Sequence, residues 1–232
     1  MSHALPFPWF EPLLARLREH LAAEPFTRDA AHDLGHILRT ARLAQSLAGE
    51  EGADVETCVA SALLHDLVYR PKNHPESPLT AQMAAELVPQ WCRETAGLES
   101  RAGAVASAVE SHSWSGGGTP ATLEAAVVQD ADRLEALGAI GVARVFATGA
   151  SFGAGLWHPL DPWAEDRGLD DKAWSLDHFE KKLLKLAAGM KTASGQRRAA
   201  ERERTMLAYL AALRSELGHD LPPDLSTRAT GS

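Results

Sequence analysis

The sequence predicts an all-α fold. Apolar residues recur at intervals of three and four in one segment after another, as on the buried face of a helix. Alternating apolar and polar runs bounded by turn residues, which are typical of strands, are nearly absent. The chain has 232 residues, of which 45% are hydrophobic, and this is enough to bury one substantial core. We therefore expect a single helical bundle.

The helical periodicity locates the individual elements. Helices are predicted, with ends placed to within a few residues, at 9–23, 29–49, 54–69, 78–95, 99–112, 121–137, 139–148, 174–189 and 195–217. Two stretches lack the pattern, namely the glycine-rich break at 113–120 (SWSGGGTP) and residues 149–173, which are rich in Gly, Pro, Asp and Trp. The second stretch is long enough to form a lid over a site, although a loop that runs over the surface or a dimer contact agrees with its length and composition at least as well.

The same pattern suggests a simple domain organisation. We expect an N-terminal helix at 1–24 that packs on the domain, a main helical domain at 25–217 and a disordered tail at 218–232.

Composition excludes several classes of partner and location. The formal charge of −8 disfavours long nucleic acid, although local cations and a metal would still allow a small anionic substrate. Cys58 and Cys92 form no C-x-x-C pair, which predicts neither a disulfide framework nor a thiolate zinc site and fits a reducing cytoplasm. No signal peptide and no apolar stretch of about 18 residues is evident, so no membrane span is expected.

Two adjacent polar residues interrupt an apolar segment. His65 and Asp66 stand near the end of VASALLHDLV, residues 59–68. Burying an unpaired carboxylate is costly, and a metal ion would compensate both groups. Taken alone, the pair is explained more simply by a satisfied core histidine beside a solvent-facing aspartate.

Two further segments strengthen the metal interpretation. Asp130 lies on the predicted inward row of ATLEAAVVQDADRLEAL, where a carboxylate again needs compensation. His36, in HDLGH, borders the apolar row of another predicted helix, one turn after His32. Two imidazoles and two carboxylates from three helices make a plausible metal site, because helical bundles build metal centres from inward ligands on facing helices.

These residues carry a resemblance to a known family. The order His36, then His65-Asp66, then Asp130, each on its own helix, resembles the HD-domain superfamily of metal-dependent phosphohydrolases. Longer blocks over about residues 10–215 resemble the small bacterial YedJ/YpgQ-like branch of that superfamily; they are KNHP at 72–75, HSWS at 112–115, VVQDADRLEALGAIGVARVF at 127–146 and LDHFEKKLLKL at 176–186.

The resemblance implies a metal-dependent reaction. It implies that His36, His65, Asp66 and Asp130 hold a divalent metal, and that water on the metal hydrolyses a nucleoside triphosphate or deoxynucleoside triphosphate to the monophosphate and pyrophosphate. Imidazole and carboxylate ligands favour Mn²⁺, with Fe²⁺, Co²⁺, Ni²⁺ or Mg²⁺ as alternatives. Apart from His112, the extra histidines of dinuclear phosphodiesterases are missing, and Leu-Val-Tyr-Arg replaces the acidic pair of (p)ppGpp hydrolases. A mononuclear site and a non-alarmone substrate are expected.

Several residues are candidates for catalysis and phosphate binding. Asp66 is expected to help orient the nucleophile, and Lys72, just after the His65-Asp66 segment, to neutralise phosphate charge. Asn73 and His74 are predicted substrate contacts, the alternative being a polar turn before Pro75.

Two more candidates lie on other helices. His112 is predicted at a helix end as a general acid, a phosphate contact or a fifth ligand, the alternative being a capping role. Arg133, beside Asp130, is predicted either to orient that ligand or to bind phosphate, whereas Asp132 is interpreted as a solvated neighbour.

The alternatives for the function stay open at this point. A 5′-nucleotidase or another phosphomonoesterase would use the same ligands, and a non-catalytic nucleotide-binding regulatory module would use the metal structurally. The expected partner is a small phosphorylated substrate, and a homodimer is compatible with the sequence.

Overall fold

The structure is a computed structural model that describes residues 5–71, 74–112 and 119–218. Regular secondary structure in these ranges is helical, without a named strand, so the all-α prediction is confirmed. The chain divides into two compact units, Met1–Arg133 and Leu134–Ser232, and each is described by itself. The predicted tail lies almost entirely outside the described residues, as does most of the glycine-rich break. The domain boundaries expected from the sequence stay predictions.

The first unit contains the helices of the candidate site. They are α1 (Phe10–Ala22), α2 (Leu34–Glu51), α3 (Val55–Leu64), α4 (Thr80–Arg93), α5 (Ala102–Ser111) and α6 (Leu123–Leu134), the last of which ends one residue into the second unit. Helix α3 packs against α2 and α5, and α4 packs against α5.

Helix α2 begins later than the predicted residue 29. Asp29 Oδ1 accepts hydrogen bonds from the backbone N–H groups of Ala31 (2.9 Å) and His32 (3.0 Å), which form a turn before the helix. Asp33 then caps the helix, because its side chain accepts from His36 N at 2.8 Å. His32 is therefore in the turn, and His36 is in the first turn of α2.

Helix α3 ends earlier than the predicted residue 69. Its residues from Thr57 to Leu64 are all buried, so it is a central helix of this unit. After Leu64 the chain turns, with Leu67 N donating to Leu64 O at 3.2 Å. His65 and Asp66 consequently lie at the carboxyl end of α3, where the chain leaves the helix.

The second unit contains α7 (Gly138–Ser151), a π-helical turn (Phe179–Leu183), α8 (Leu184–Leu186) and α9 (Ala193–Glu216), with α7 packed against α9. Aromatic rings pack together in this unit, with the ring centroid of the buried Phe179 6.1 Å from those of both Phe146 and Tyr209. The long connection before the π-helical turn is held by Arg167, whose guanidinium donates to both carboxylate oxygens of Asp177.

In the described part of the chain, no single helix is both long and apolar enough to cross a membrane. Helices α6 and α7 meet the criteria of length and composition only when they are taken together across the break between them.

Candidate metal centre

Three predicted ligands converge at the ends of α2 and α3. One potential ligand atom from each of His36, His65 and Asp66 lies within 4.8 Å of the others. The Nε2 atoms of the two imidazoles are 3.2 Å apart, and Asp66 Oδ2 lies 3.8 Å from that of His36 and 3.6 Å from that of His65. The structure thus brings together residues from two helices, as the sequence predicted.

A second carboxylate approaches the same imidazoles from α6. Asp132 Oδ1 lies 3.4 Å from His36 Nε2 and 3.8 Å from His65 Nε2. Its side chain is 25% exposed, similar to the 20% of Asp66. The two histidines are buried, so both carboxylates lie where the buried imidazoles meet an accessible opening.

This geometry favours Asp132 over Asp130 as the ligand from α6, and the choice between them stays a proposal. Residues two positions apart on an α-helix point in directions about 200° apart, so Asp130 and Asp132 cannot both face the two imidazoles. Asp132 does face them, and Asp130 is fully buried on another side of α6. Amphipathicity could not separate the two, because every residue from Ala125 to Ala131 is buried and the helix has no single inward row.

The hydrogen bonds of the imidazoles leave Nε2 available for a ligand. Nδ1 of His65 donates to the carbonyl oxygen of Ala62 at 2.8 Å, which assigns the proton to Nδ1 and the lone pair to Nε2. His36 Nδ1 lies 3.4 Å from Thr40 Oγ1, an atom that accepts from Nδ1 when Nε2 carries the lone pair. Metal-binding histidines are commonly oriented in this way by a hydrogen bond at the other ring nitrogen.

The electrostatics of the cluster favour a neutral His65 ring and ionised carboxylates. Burial lowers the pKa of His65 to about 4, so this ring is neutral near pH 7. Burial alone would raise the pKa of Asp66, but the neighbouring imidazoles, His65 first, hold it below its ordinary value. The pKa of Asp132 is likewise held low, mainly by its interaction with His36. These are the protonation states that a metal ion requires of its ligands.

One atom of the cluster fits a metal particularly well. Asp66 Oδ2 is buried and has no hydrogen-bond partner among the described residues. A buried carboxylate oxygen without a hydrogen bond is costly, and coordination of a cation would remove that cost. Two imidazole nitrogens and two carboxylate oxygens suit a divalent ion of the Mn²⁺ to Ni²⁺ series.

His112 lies beside the cluster, and its catalytic role stays a prediction. Its ring centroid is 5.0 Å from that of His65, with the rings edge to face. Nδ1 donates to Val109 O at 2.6 Å at the end of α5, and the side chain is buried. Its Nε2 therefore carries the lone pair in the neutral ring.

His32 supports the cluster from the turn before α2. Its Nδ1 donates to Asp29 Oδ1 at 2.8 Å, while the hydroxyl of Tyr69 donates to the other oxygen of Asp29 at 3.3 Å. The His32 ring centroid is 6.1 Å from that of His36. Asp29 and Tyr69 could not be recognised from the sequence because turns carry no periodic signal.

The remaining substrate candidates are placed less directly. Lys72 and Asn73 lie outside the described residues. His74 Nδ1 accepts from Glu76 N at 3.2 Å and its ring packs edge-on against Phe26, so it helps to shape a turn. Arg133 is buried, and this burial lowers the pKa of its guanidinium. The negative charges of Asp130 and Asp132 act in the opposite direction and raise it. Substrate binding by these four residues stays a prediction.

Comparison with known proteins extends these findings. The profile of the HD domain family matches residues 33–137, which include His36, His65, Asp66 and Asp132. The protein YpgQ of Bacillus subtilis (strain 168) is 31% identical over 193 residues, which cover 81% of this chain and 85% of YpgQ.

Solved structures agree with the sequence comparison. The crystal structure of Bacillus subtilis YpgQ in complex with ADP is similar with a TM-score of 0.66 and 28% identity, covering 92% of this chain and 95% of that one. An HD-superfamily hydrolase from Bacillus thuringiensis has a TM-score of 0.65 and 29% identity, with 90% and 96% of the two chains covered. The chain therefore belongs to the HD-domain family of metal-dependent phosphohydrolases, in the branch that includes YpgQ.

Proposed function

We propose that this protein is a nucleotide pyrophosphohydrolase that converts a nucleoside or deoxynucleoside triphosphate to the monophosphate and pyrophosphate. The observation that carries the proposal is the convergence of His36, His65 and Asp66 around a buried carboxylate oxygen that accepts no hydrogen bond from the described residues. Asp132 completes the ligand set from the side of α6. These four residues would hold the ion and leave it accessible to water and a phosphate oxygen.

A nucleotide substrate is supported by the relative YpgQ, which was crystallised with ADP. The net charge of −8 does not oppose this choice, because a cation at the cluster and nearby basic groups would offset the phosphate charge locally. Lys72 and Arg133 are the proposed contacts of the phosphate chain, and Asn73 and His74 are further proposed substrate contacts.

The reaction assigns separate tasks to the residues of the cluster. When bound, a divalent cation lowers the pKa of a coordinated water and withdraws charge from the phosphate oxygens. Asp66 accepts a hydrogen bond from the attacking water and orients it toward the α-phosphorus. As the new P–O bond forms, the water releases a proton to solvent, the bond from the α-phosphorus to the bridging oxygen breaks, and pyrophosphate leaves with that oxygen. His112 stands beside His65 and, when its Nε2 also carries a proton, donates a hydrogen bond to a phosphate oxygen and stabilises the charge that develops there.

Product analysis tests the proposal. The purified protein is incubated with Mn²⁺ and each dNTP and NTP, and nucleotides are separated by chromatography while pyrophosphate and orthophosphate are assayed individually. Equal amounts of monophosphate and pyrophosphate are expected. Orthophosphate with nucleosides and no pyrophosphate would identify a phosphomonoesterase instead, and nucleotide binding without any product would identify a regulatory module.

The identity of the metal is part of the proposal. Mn²⁺ is favoured because imidazole and carboxylate ligands together suit it, and Fe²⁺, Co²⁺, Ni²⁺ and Mg²⁺ are the alternatives. Activity measured across this series after removal of bound metal should be highest with Mn²⁺, whereas the affinity should rise from Mn²⁺ to Ni²⁺. The cytoplasmic location is supported by the two cysteines, which are free and buried. It stays a prediction, as does the homodimer.

A further inference from the structure

A buried ion pair lies in the segment between α1 and α2. Arg28 Nε donates to Glu24 Oε2 at 2.6 Å and Arg28 Nη2 donates to Oε1 at 2.9 Å, so the guanidinium and carboxylate form a bidentate pair. The two side chains are only 9% and 8% exposed. Neither residue carries a motif or a periodic signal in the sequence.

The pair holds the main chain on both sides of a metal ligand. Arg28 Nη2 also donates to the backbone oxygen of Asp66 at 2.6 Å. Glu24 Oε1 accepts from the backbone N–H of Tyr69 at 3.1 Å. One ion pair thus fixes both ends of the short segment from Asp66 to Tyr69, and Arg28 Nη1 reaches the carbonyl oxygen of His32 at 3.3 Å as well.

The position of Asp66 explains why such a support is needed. Helix α3 ends at Leu64, so the carbonyl groups that follow are not satisfied by helical hydrogen bonds. The direction of the Asp66 side chain depends on a main chain that has already left the helix. A charge-assisted hydrogen bond from a buried guanidinium is among the stronger ways to fix that main chain.

We propose that Arg28 and Glu24 are positioning residues that hold the Asp66 carboxylate in place for the metal ion. The inference rests on the proposed metal site, but not on any particular substrate. Partners that orient a metal ligand typically contribute about 10- to 100-fold to metal affinity. Removal of the pair therefore weakens metal binding because Asp66 is no longer preorganised.

Metal affinity separates this role from general stabilisation. Loss of Arg28 would leave Glu24 unpaired in a buried place and would lower the melting temperature whatever the role of the pair. The affinity for Mn²⁺, measured from free Mn²⁺ by electron paramagnetic resonance well below the melting temperature, reports on Asp66 instead. The same samples are examined by circular dichroism to establish that they are folded.

Three variants define the experiment. Arg28→Met removes the donors, Arg28→Lys keeps the charge but not the planar fork, and Arg16→Met is the control. Arg16 forms a partly exposed ion pair with Glu94 at 2.5 Å in the same unit. We expect the Kd for Mn²⁺ to rise about tenfold or more in Arg28→Met, to rise less in Arg28→Lys, and to stay unchanged in Arg16→Met.

The outcomes are decisive for the proposal. A Kd in folded Arg28→Met equal to that of the unmodified protein overturns it, as does an equal rise in Arg16→Met. Should Arg28→Met not fold, Arg28→Lys decides, and an unchanged Kd overturns the proposal. Turnover is not needed for this readout, so a protein that binds Mn²⁺ but releases no pyrophosphate would refute the proposed function and leave the positioning role standing.

Discussion

Asp132 Oδ1 lies 3.4 Å from His36 Nε2, which joins α6 to α2 at the candidate metal centre. His65 Nε2 is 3.8 Å from the same oxygen, so this carboxylate faces both imidazoles. The two imidazoles would repel each other through their lone pairs if both Nε2 atoms were unprotonated without a cation between them. A metal ion satisfies the lone pairs and the carboxylates together.

This relationship predicts different effects for the two aspartates of α6. Asp132→Asn should raise the Kd for Mn²⁺ because it removes a charged ligand oxygen. The rise should be at least as large as the change of about 10- to 100-fold that follows the loss of a residue that only orients a ligand. Asp130→Asn, as the matched control, should keep the affinity although its burial makes some loss of stability expected. Titration of both variants with Mn²⁺ by calorimetry checks this. Loss of metal in Asp130→Asn with retention in Asp132→Asn would contradict the geometry.

The fold and three of the four proposed ligands could be predicted because they depend on strong local signals. Apolar residues recur every three to four positions through most of the chain. His65 and Asp66 interrupt an apolar segment, in which a buried polar side chain needs a compensating partner. Asp132 could not be chosen in the same way. The site opens to solvent, so a ligand there is partly exposed and resembles an ordinary surface aspartate, whereas the fully buried Asp130 resembles a ligand.

The supports of the site were not predictable for a different reason. These supports act through turns and through main-chain hydrogen bonds between segments that are far apart in sequence. They are Arg28, Glu24, Asp29 and Tyr69. A side-chain cap also sets the start of α2. The hydrogen bond that the Asp33 carboxylate accepts from the main chain competes with an extension of the helix toward earlier residues. Such contacts depend on tertiary structure, and periodicity carries no information about them.

His112 should affect turnover more than metal binding. We expect His112→Asn to lower kcat by about 100-fold, in the range usual for a proton-transferring or charge-stabilising group, while the Kd for Mn²⁺ changes little. The asparagine amide can still donate to Val109 O, the bond that Nδ1 makes at 2.6 Å. Steady-state kinetics at saturating Mn²⁺ provide the test, with His158→Asn in the second unit as control. If metal affinity falls as much as kcat, His112 is a ligand instead.

Asp29 should contribute a pH-dependent part of the stability. Burial opposes its ionisation, but hydrogen bonding and charge from His32 outweigh burial and lower its pKa to about 2. The unfolded chain has a pKa of about 3.9 at this residue. Because the folded pKa is the lower one, the contribution is complete above the unfolded value and is lost as pH falls towards 2.

Urea unfolding of the protein and of Asp29→Asn from pH 6 downward measures this contribution. The difference in unfolding free energy should be constant above about pH 5 and should shrink below about pH 4. Glu11→Gln, at an exposed position of α1, is the control and should show no such trend. A difference that does not vary with pH would show that Asp29 acts only through uncharged hydrogen bonds.

Arg167 should be essential for the stability of the second unit. Its Nη1 and Nη2 donate to Asp177 at 2.5 and 2.8 Å, and Asp177 also accepts from the backbone N–H of Asp170 at 2.7 Å. The Asp177 side chain is buried, so Arg167→Met would leave a buried carboxylate without its cation. Removal of one partner of such a pair costs about 3–5 kcal/mol. This pair anchors the connection between α7 and the π-helical turn.

Chemical denaturation monitored by circular dichroism tests that cost. Arg167→Met should unfold at a clearly lower denaturant concentration, and Arg167→Lys should fall between it and the unmodified protein because lysine cannot donate two parallel hydrogen bonds. Lys181→Met, which removes a pair with Asp171 at the surface of the same unit, should change little because solvent screens the interaction. Equal midpoints for Arg167→Met and Lys181→Met would mean that the connection is not held by Asp177.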